Sequence, residues 1–140
     1  MERKHKNIIV VGGVAGGMSF ATRYRRLNQE DDIIIFEKGP YVSFANCGLP
    51  YHISGEIRTR SGLLVVREQL LKDRFRLDIR SNAEVIGIDS KQKQISYKYQ
   101  DEILYETYDE LILSTGAKPI DLPILGIENM PHFSLRNIPD

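Results

Sequence analysis

Cysteine is almost absent from this chain. Cys47 stands alone among 140 residues, which excludes a disulfide framework and a multi-cysteine zinc site. Net charge is lacking as well. Lys and Arg together number 19, matched by 19 Asp and Glu, so the overall balance offers no attraction for nucleic acid or an anionic membrane. Long hydrophobic runs are missing too. After Met1-Glu2-Arg3-Lys4-His5-Lys6, glycines end the first apolar run within a few residues. That is too short for the core of a secretory signal, and no stretch reaches the roughly 18 apolar residues of a membrane span. His5, His52 and His132 form no metal-ligand spacing with the cysteine or a carboxylate cluster. The composition, 41% hydrophobic and 27% charged, suits one globular domain with a sizeable core in a reducing, cytoplasmic setting.

What is present begins with strands. Asn7-Ile8-Ile9-Val10-Val11 is a continuous apolar run rich in β-branched residues, as expected of a strand buried on both faces. Residues 16–27 read as a helix with Met18, Ala21, Thr22 and Leu27 inward, and Asp32-Ile33-Ile34-Ile35-Phe36-Glu37 as a second buried strand. Such a β-α-β unit makes its strands parallel through a right-handed crossover. Residues 46–53 form a short helix with Asn46 or Ser43 as cap and Pro50 in the first turn, and residues 67–75 another. Residues 83–89, 94–100 and 103–108 predict a three-stranded antiparallel meander, and Glu110-Leu111-Ile112-Leu113-Ser114 a further buried strand. The tyrosines Tyr97, Tyr99, Tyr105 and Tyr108 serve there as packing residues. Residues 1–118 are therefore read as one segment of an α/β domain. The proline-rich stretch 119–140 is read as the start of a linker.

Chemistry enters at Gly12-Gly13-Val14-Ala15-Gly16-Gly17, between the first strand and the first helix. Backbone N–H groups at such a turn favour a pyrophosphate, and glycines allow its close approach. Against the G-x-G-x-x-G fingerprint, Gly12 and Gly17 take the first and third positions and Val14 the second. Glu37 ends the next strand, 25 residues beyond Gly12. An acid there accepts hydrogen bonds from an adenosine ribose, which favours FAD or NAD over a 2′-phosphorylated cofactor.

The lone sulfur lies ten residues further on, in Ser43-Phe44-Ala45-Asn46-Cys47-Gly48-Leu49-Pro50-Tyr51. Having no intrachain partner, it must find its redox mate in a thiol substrate, a peroxide oxygen or another chain. Together with Val10–Gly17, Ile35-Phe36-Glu37-Lys38 and residues 111–119, this segment resembles the single-cysteine branch of the FAD-dependent pyridine nucleotide–disulfide oxidoreductases. That branch includes coenzyme A–disulfide reductases, persulfide reductases, NADH peroxidases and water-forming NADH oxidases.

The resemblance implies a Rossmann-like FAD-binding domain with a parallel sheet plus the meander. It implies that Gly12, Val14, Ala15, Gly16, Glu37 and Lys38 hold the ADP half of FAD, that the backbone at Val85 meets the adenine, and that Thr115 and Gly116 cross near the phosphate–ribitol side. Cys47 would then lie against the isoalloxazine ring at a helix N-terminus, and electrons would run from NAD(P)H through flavin to sulfur. Peroxidase and oxidase relatives carry a histidine where this chain has Ala15, so the wording favours coenzyme A disulfide or persulfide as acceptor. By family position Ser19, Arg23, Arg26, Ser43 and Asn46 match substrate-contacting residues. Ser19, Arg23 and Arg26 also recur on one helical face, with Arg25 adding charge nearby. Relatives are about three times longer, which implies a missing NAD(P)H domain, a homodimer in the full-length enzyme, and a 140-residue segment inactive by itself. A non-catalytic nucleotide-binding module is the rival expectation.

Overall fold

The computed structural model describes residues 5–120 and 122–140. Its centre is the apolar run at Asn7–Val11 (β1), where Ile8, Ile9 and Val10 are all shut off from solvent. β1 pairs in parallel with Asp32–Glu37 (β2) on one side, Ile9 opposite Ile34. On the other it pairs in parallel with Glu110–Leu113 (β7), Ile9 opposite Leu111. The helix Ala15–Leu27 (α1) makes the crossover from β1 to β2.

Alternation of side chains along the strands then creates two cores. Ile8, Val10, Ile33 and Ile35 point to the face covered by Met18 and Ala21 of α1 and by Leu71 of the helix Glu68–Phe75 (α3). Ile9, Ile34 and Phe36 point to the opposite face, under Ile95 and Tyr97. These last belong to the meander of Glu84–Asp89 (β4), Gln94–Tyr99 (β5) and Glu102–Thr107 (β6), ordered β4-β5-β6. Each such aliphatic or aromatic side chain contributes about 1.5–3 kcal/mol on burial. Tyr97 packs on Phe36 with ring centroids 4.7 Å apart, while Tyr105 is 64% exposed. The expected packing role of the tyrosines therefore holds for the inward ones.

Four local expectations need correction. A fourth parallel strand, Asp78–Ser81 (β3), completes the order β3-β2-β1-β7. It went unread because only Ile79 of its four residues is apolar, as suits an edge strand. Left-handed residues Arg76 and Asn82 bracket it. Secondly, Leu27 is 71% exposed rather than inward, and Arg25 takes the buried position. Thirdly, Arg25 adds no surface charge: its guanidinium donates to the carbonyls of Phe75, Asn28 and Arg76. Finally, residues 46–53 divide into a single 3₁₀ turn, Asn46–Gly48, and the helix Leu49–Ile53 (α2). Pro50 is in its first turn as expected, but neither Ser43 nor Asn46 caps it.

Beyond β7 the described residues are irregular apart from one 3₁₀ turn, Ile127–Asn129. It nevertheless returns to the body of the domain. Ile138 is 6% exposed, packed among Phe44, Leu49 and Leu63.

Candidate functional site

The site is built where β1 hands over to α1. Gly12 has φ +104°, and a β-carbon on it would stand 2.1 Å from the Ser114 carbonyl oxygen. Gly17 lies just as close to the turn: a β-carbon there would meet the Gly12 carbonyl at 1.8 Å. Only glycine fits either position, and the result is a helix start pressed against the crossing of β1 and β7. α1 runs 13 residues and has neither a side-chain cap nor an acidic residue in its first turn. Its first N–H groups and the positive end of its dipole are therefore open to an anion.

They open onto a groove of about 210 Å³ whose lining includes Gly12, Val14, Ala15, Gly16, Glu37, Lys38, Thr115 and Gly116. A second depression, about 190 Å³, shares Gly12, Glu37, Lys38 and Thr115 with it and continues past Phe36 to Val85. All nine residues expected at the cofactor thus line one continuous trough. Its open N–H donors and its cradle of β-carbon-free backbone suit the ADP half of a dinucleotide. Glu37 stands in the middle of the trough, but its carboxylate is already engaged with the protein. Oε2 accepts from Gly13 N at 2.8 Å and Oε1 from Gly39 N at 2.8 Å. A carboxylate has about four acceptor sites, so two remain for ribose hydroxyls.

The thiol adjoins this trough. Cys47 is exposed and opens on a cavity of about 540 Å³ whose lining includes Val14, Ala15, Ser19, Ser43 and Asn46. Val14, Ala15 and Asn46 also line the groove at the start of α1. Ser43 N donates to Gly13 O at 2.8 Å, and Ser43 adopts φ +51° to make that turn. On its far side the segment is held by Val65 N to Ser43 O and Ala45 N to Leu63 O, both 2.8 Å. Loop and cysteine segment are thereby stitched together.

The expected substrate residues divide. Ser19, Ser43 and Asn46 meet at the cysteine cavity, whereas Arg26 lies near the C-terminal end of α1 and Arg23 between, exposed. Arg26 sits 5.9 Å over the Phe75 ring, which Arg74 covers at 5.8 Å. Arg25, Arg26, Gln29, Arg74 and Phe75 line a separate cavity of about 410 Å³. Among the described residues no ion pair joins Arg23, Arg26 or Arg74 to a carboxylate. Burial first, and then the charge of Arg76, hold the Arg25 guanidinium below its ordinary pKa. Positive charge is thus crowded at this end of the helix. Two residues at these cavities were not anticipated from sequence. Arg74 lies in the expected helix but away from any motif, and Arg136 lines the groove at the start of α1 from a stretch that reads as linker.

Among the described residues, no cluster of three or more His, Cys, Asp or Glu is arranged to hold a metal. No described helix is long and apolar enough to cross a membrane.

A family model described as pyridine nucleotide-disulphide oxidoreductase matches residues 6–140. The chain belongs to that family. Coenzyme A disulfide reductase of Staphylococcus aureus (strain JH9) is 42% identical over 135 residues, covering 95% of this chain and 30% of the relative. The crystal structure of reduced Bacillus anthracis CoADR-RHD superposes with a TM-score of 0.91 at 51% identity, covering 98% of this chain and 25% of that one. An NAD-dependent persulfide reductase from A. fulgidus gives 0.82 at 34% identity, covering 87% and 23%. The chain therefore spans less than a third of the length of these relatives.

Proposed function

We propose that this chain is the segment of an NAD(P)H-dependent flavoenzyme that seats the ADP half of FAD and carries its redox sulfur, and that the enzyme reduces coenzyme A disulfide or coenzyme A persulfide. The observation that carries the reading is the position of Cys47, the only thiol, on a cavity that shares Val14, Ala15 and Asn46 with the diphosphate groove. The relatives named for coenzyme A disulfide reductase and persulfide reductase support it.

The chain's own residues set up the following chemistry. The α1 N–H groups and the glycine turn bind the diphosphate, and Glu37 orients the ribose. FAD, when bound, supplies the two electrons that NAD(P)H provides. Cys47, as thiolate, attacks one sulfur of the substrate disulfide. The S–S bond breaks, a Cys47–sulfur bond forms, and the departing thiolate leaves with the electron pair and takes up a proton. Two electrons and a proton then return the mixed disulfide to Cys47 thiolate and a second thiol. Ser19, Ser43 and Asn46 stand around the sulfur to position the pantetheine end. The guanidiniums of Arg23 and Arg26 on α1 and of Arg74 on α3, which have no ion-pair partner among the described residues, offer forked donors for the substrate's phosphates.

Ala15 argues against the peroxidase and oxidase alternative. It lies between groove and cysteine cavity and has no proton to give a sulfenic acid or peroxide. The test compares NAD(P)H consumption by the full-length enzyme with coenzyme A disulfide, coenzyme A persulfide, hydrogen peroxide and oxygen side by side. Turnover with the coenzyme A substrates at least about tenfold above the other two is expected; a preference for peroxide or oxygen contradicts the reading.

A further inference from the structure

The stretch that reads as linker comes back to the site and touches it three times. The Arg136 guanidinium lies along the diphosphate groove, with Nε donating to Ala117 O at 3.2 Å and Nη2 3.3 Å from where a Gly116 β-carbon would stand. The Arg136 main-chain carbonyl accepts from Asn46 Nδ2 at 3.0 Å, next to Cys47. Two residues on, Ile138 is sunk to 6% exposure among Phe44, Leu49 and Leu63, the apolar residues that flank the cysteine turn. Asp140 Oδ2 closes this short strap by accepting from Arg136 N and Asn137 N, both at 2.8 Å.

One residue thus faces both functions. The side chain of Arg136 reaches the place where a diphosphate would bind, and its backbone holds the amide of the residue before the reactive sulfur. The Asn46 amide donates to the strap, so the structure gives it a holding task besides any substrate contact. We infer that residues 136–138 form a positioning strap that couples occupation of the diphosphate groove to the order of the Cys47 segment, with Asn46 and Ile138 as its two anchors. An anion drawing on the Arg136 guanidinium fixes the strap, and the strap fixes residues 44–49. By linkage, loosening the strap weakens diphosphate binding by the same factor. The inference rests on the reading of the groove as a diphosphate site.

ADP is the appropriate probe, because it fills the groove without a flavin ring that would cover Cys47 directly. Ile138→Ala is the appropriate variant, because Ile138 does not line the groove and the chemistry of every groove residue is unchanged. Amide hydrogen exchange of residues 44–49 is read in the full-length enzyme freed of its flavin, with β1 and β2 as internal controls. Without ligand, exchange in 44–49 rises roughly tenfold in Ile138→Ala while β1 and β2 stay protected, and Ile138→Val restores it. Saturating ADP slows exchange in 44–49 roughly fivefold in the wild-type enzyme and less than about twofold in Ile138→Ala. Equal slowing in both proteins overturns the coupling. Equal loosening of β1, β2 and 44–49 in the ligand-free variant shows Ile138 to be an ordinary core residue and also overturns it. Failure of ADP to bind the wild-type enzyme removes the diphosphate reading itself, whereas the ligand-free comparison still decides whether the strap holds the cysteine segment.

Discussion

The Glu37 carboxylate braces the glycine loop from the neighbouring strand, accepting the Gly13 N–H at 2.8 Å while its other oxygen takes the N–H of Gly39. An acid serving only a ribose would leave the ligand-free protein indifferent to its loss. Here Glu37→Gln turns one acceptor into a donor facing an N–H group. A loss of about 1–2 kcal/mol is expected in the ligand-free chain, together with weaker binding of FAD. Chemical denaturation with and without FAD measures both. An unchanged ligand-free midpoint contradicts the bracing role.

Gly12 and Gly17 make a steeper prediction. Gly12→Ala must place a β-carbon 2.1 Å from Ser114 O at φ +104°, and Gly17→Ala one 1.8 Å from Gly12 O. Either forces β1, β7 and α1 apart, at a cost above about 3 kcal/mol. Gly55 has positive φ but open space around it, so Gly55→Ala serves as the milder control. Thermal unfolding of the three variants should rank them accordingly.

The cationic end of α1 is tested by charge reversal. Arg26→Glu and Arg74→Glu are each expected to raise KM for coenzyme A disulfide about tenfold and to leave kcat within about twofold, because they act on phosphates remote from the sulfur. The rise should shrink as salt screens the wild-type contact. An uncharged dithiol substrate should be unaffected in either variant.

A pH dependence follows from Asp31. Burial pushes its carboxyl up, but hydrogen bonds from Tyr24 Oη at 2.6 Å and Lys6 N at 3.1 Å outweigh this, and its pKa lies below the ordinary value. Its stabilising contribution is therefore fully present above the ordinary aspartate pKa of about 3.9 and is lost as pH falls through the lower folded value. Asp31→Asn should lower stability at neutral pH and flatten the acid side of the stability curve. Denaturation midpoints from pH 7 down to 2 measure this, and an unchanged acid limb contradicts it.

Much of this organisation was legible in advance because burial on both faces leaves a plain mark. Ile8-Ile9-Val10 and Ile33-Ile34-Ile35-Phe36 could only be interior strands, and the alternation of Ile95 and Tyr97 marks a strand with one face against the core. The glycine turn and Glu37 were legible because Gly12, Gly17 and Glu37 stand at strand and helix ends in a β-α-β spacing, whereas Thr115 and Gly116 were named only through the resemblance to the family. β3 was not legible: an edge strand with one apolar residue in four has no period to detect. Arg25 was misread because a buried guanidinium satisfied by three carbonyls looks, in sequence, like any surface arginine. Arg136 and Ile138 were invisible for a different reason. They act through a chain reversal over a stretch whose described residues hold one 3₁₀ turn and are otherwise irregular, and local pattern says nothing about where such a stretch returns.

The central claim is that Cys47 is the group through which electrons reach the substrate's sulfur. The direct measurement is coenzyme A disulfide turnover by the full-length Cys47→Ser enzyme, with its flavin content read from the same sample. The account predicts flavin bound at the wild-type level and disulfide reduction abolished. Continued reduction of the disulfide by that variant, with flavin in place, contradicts it.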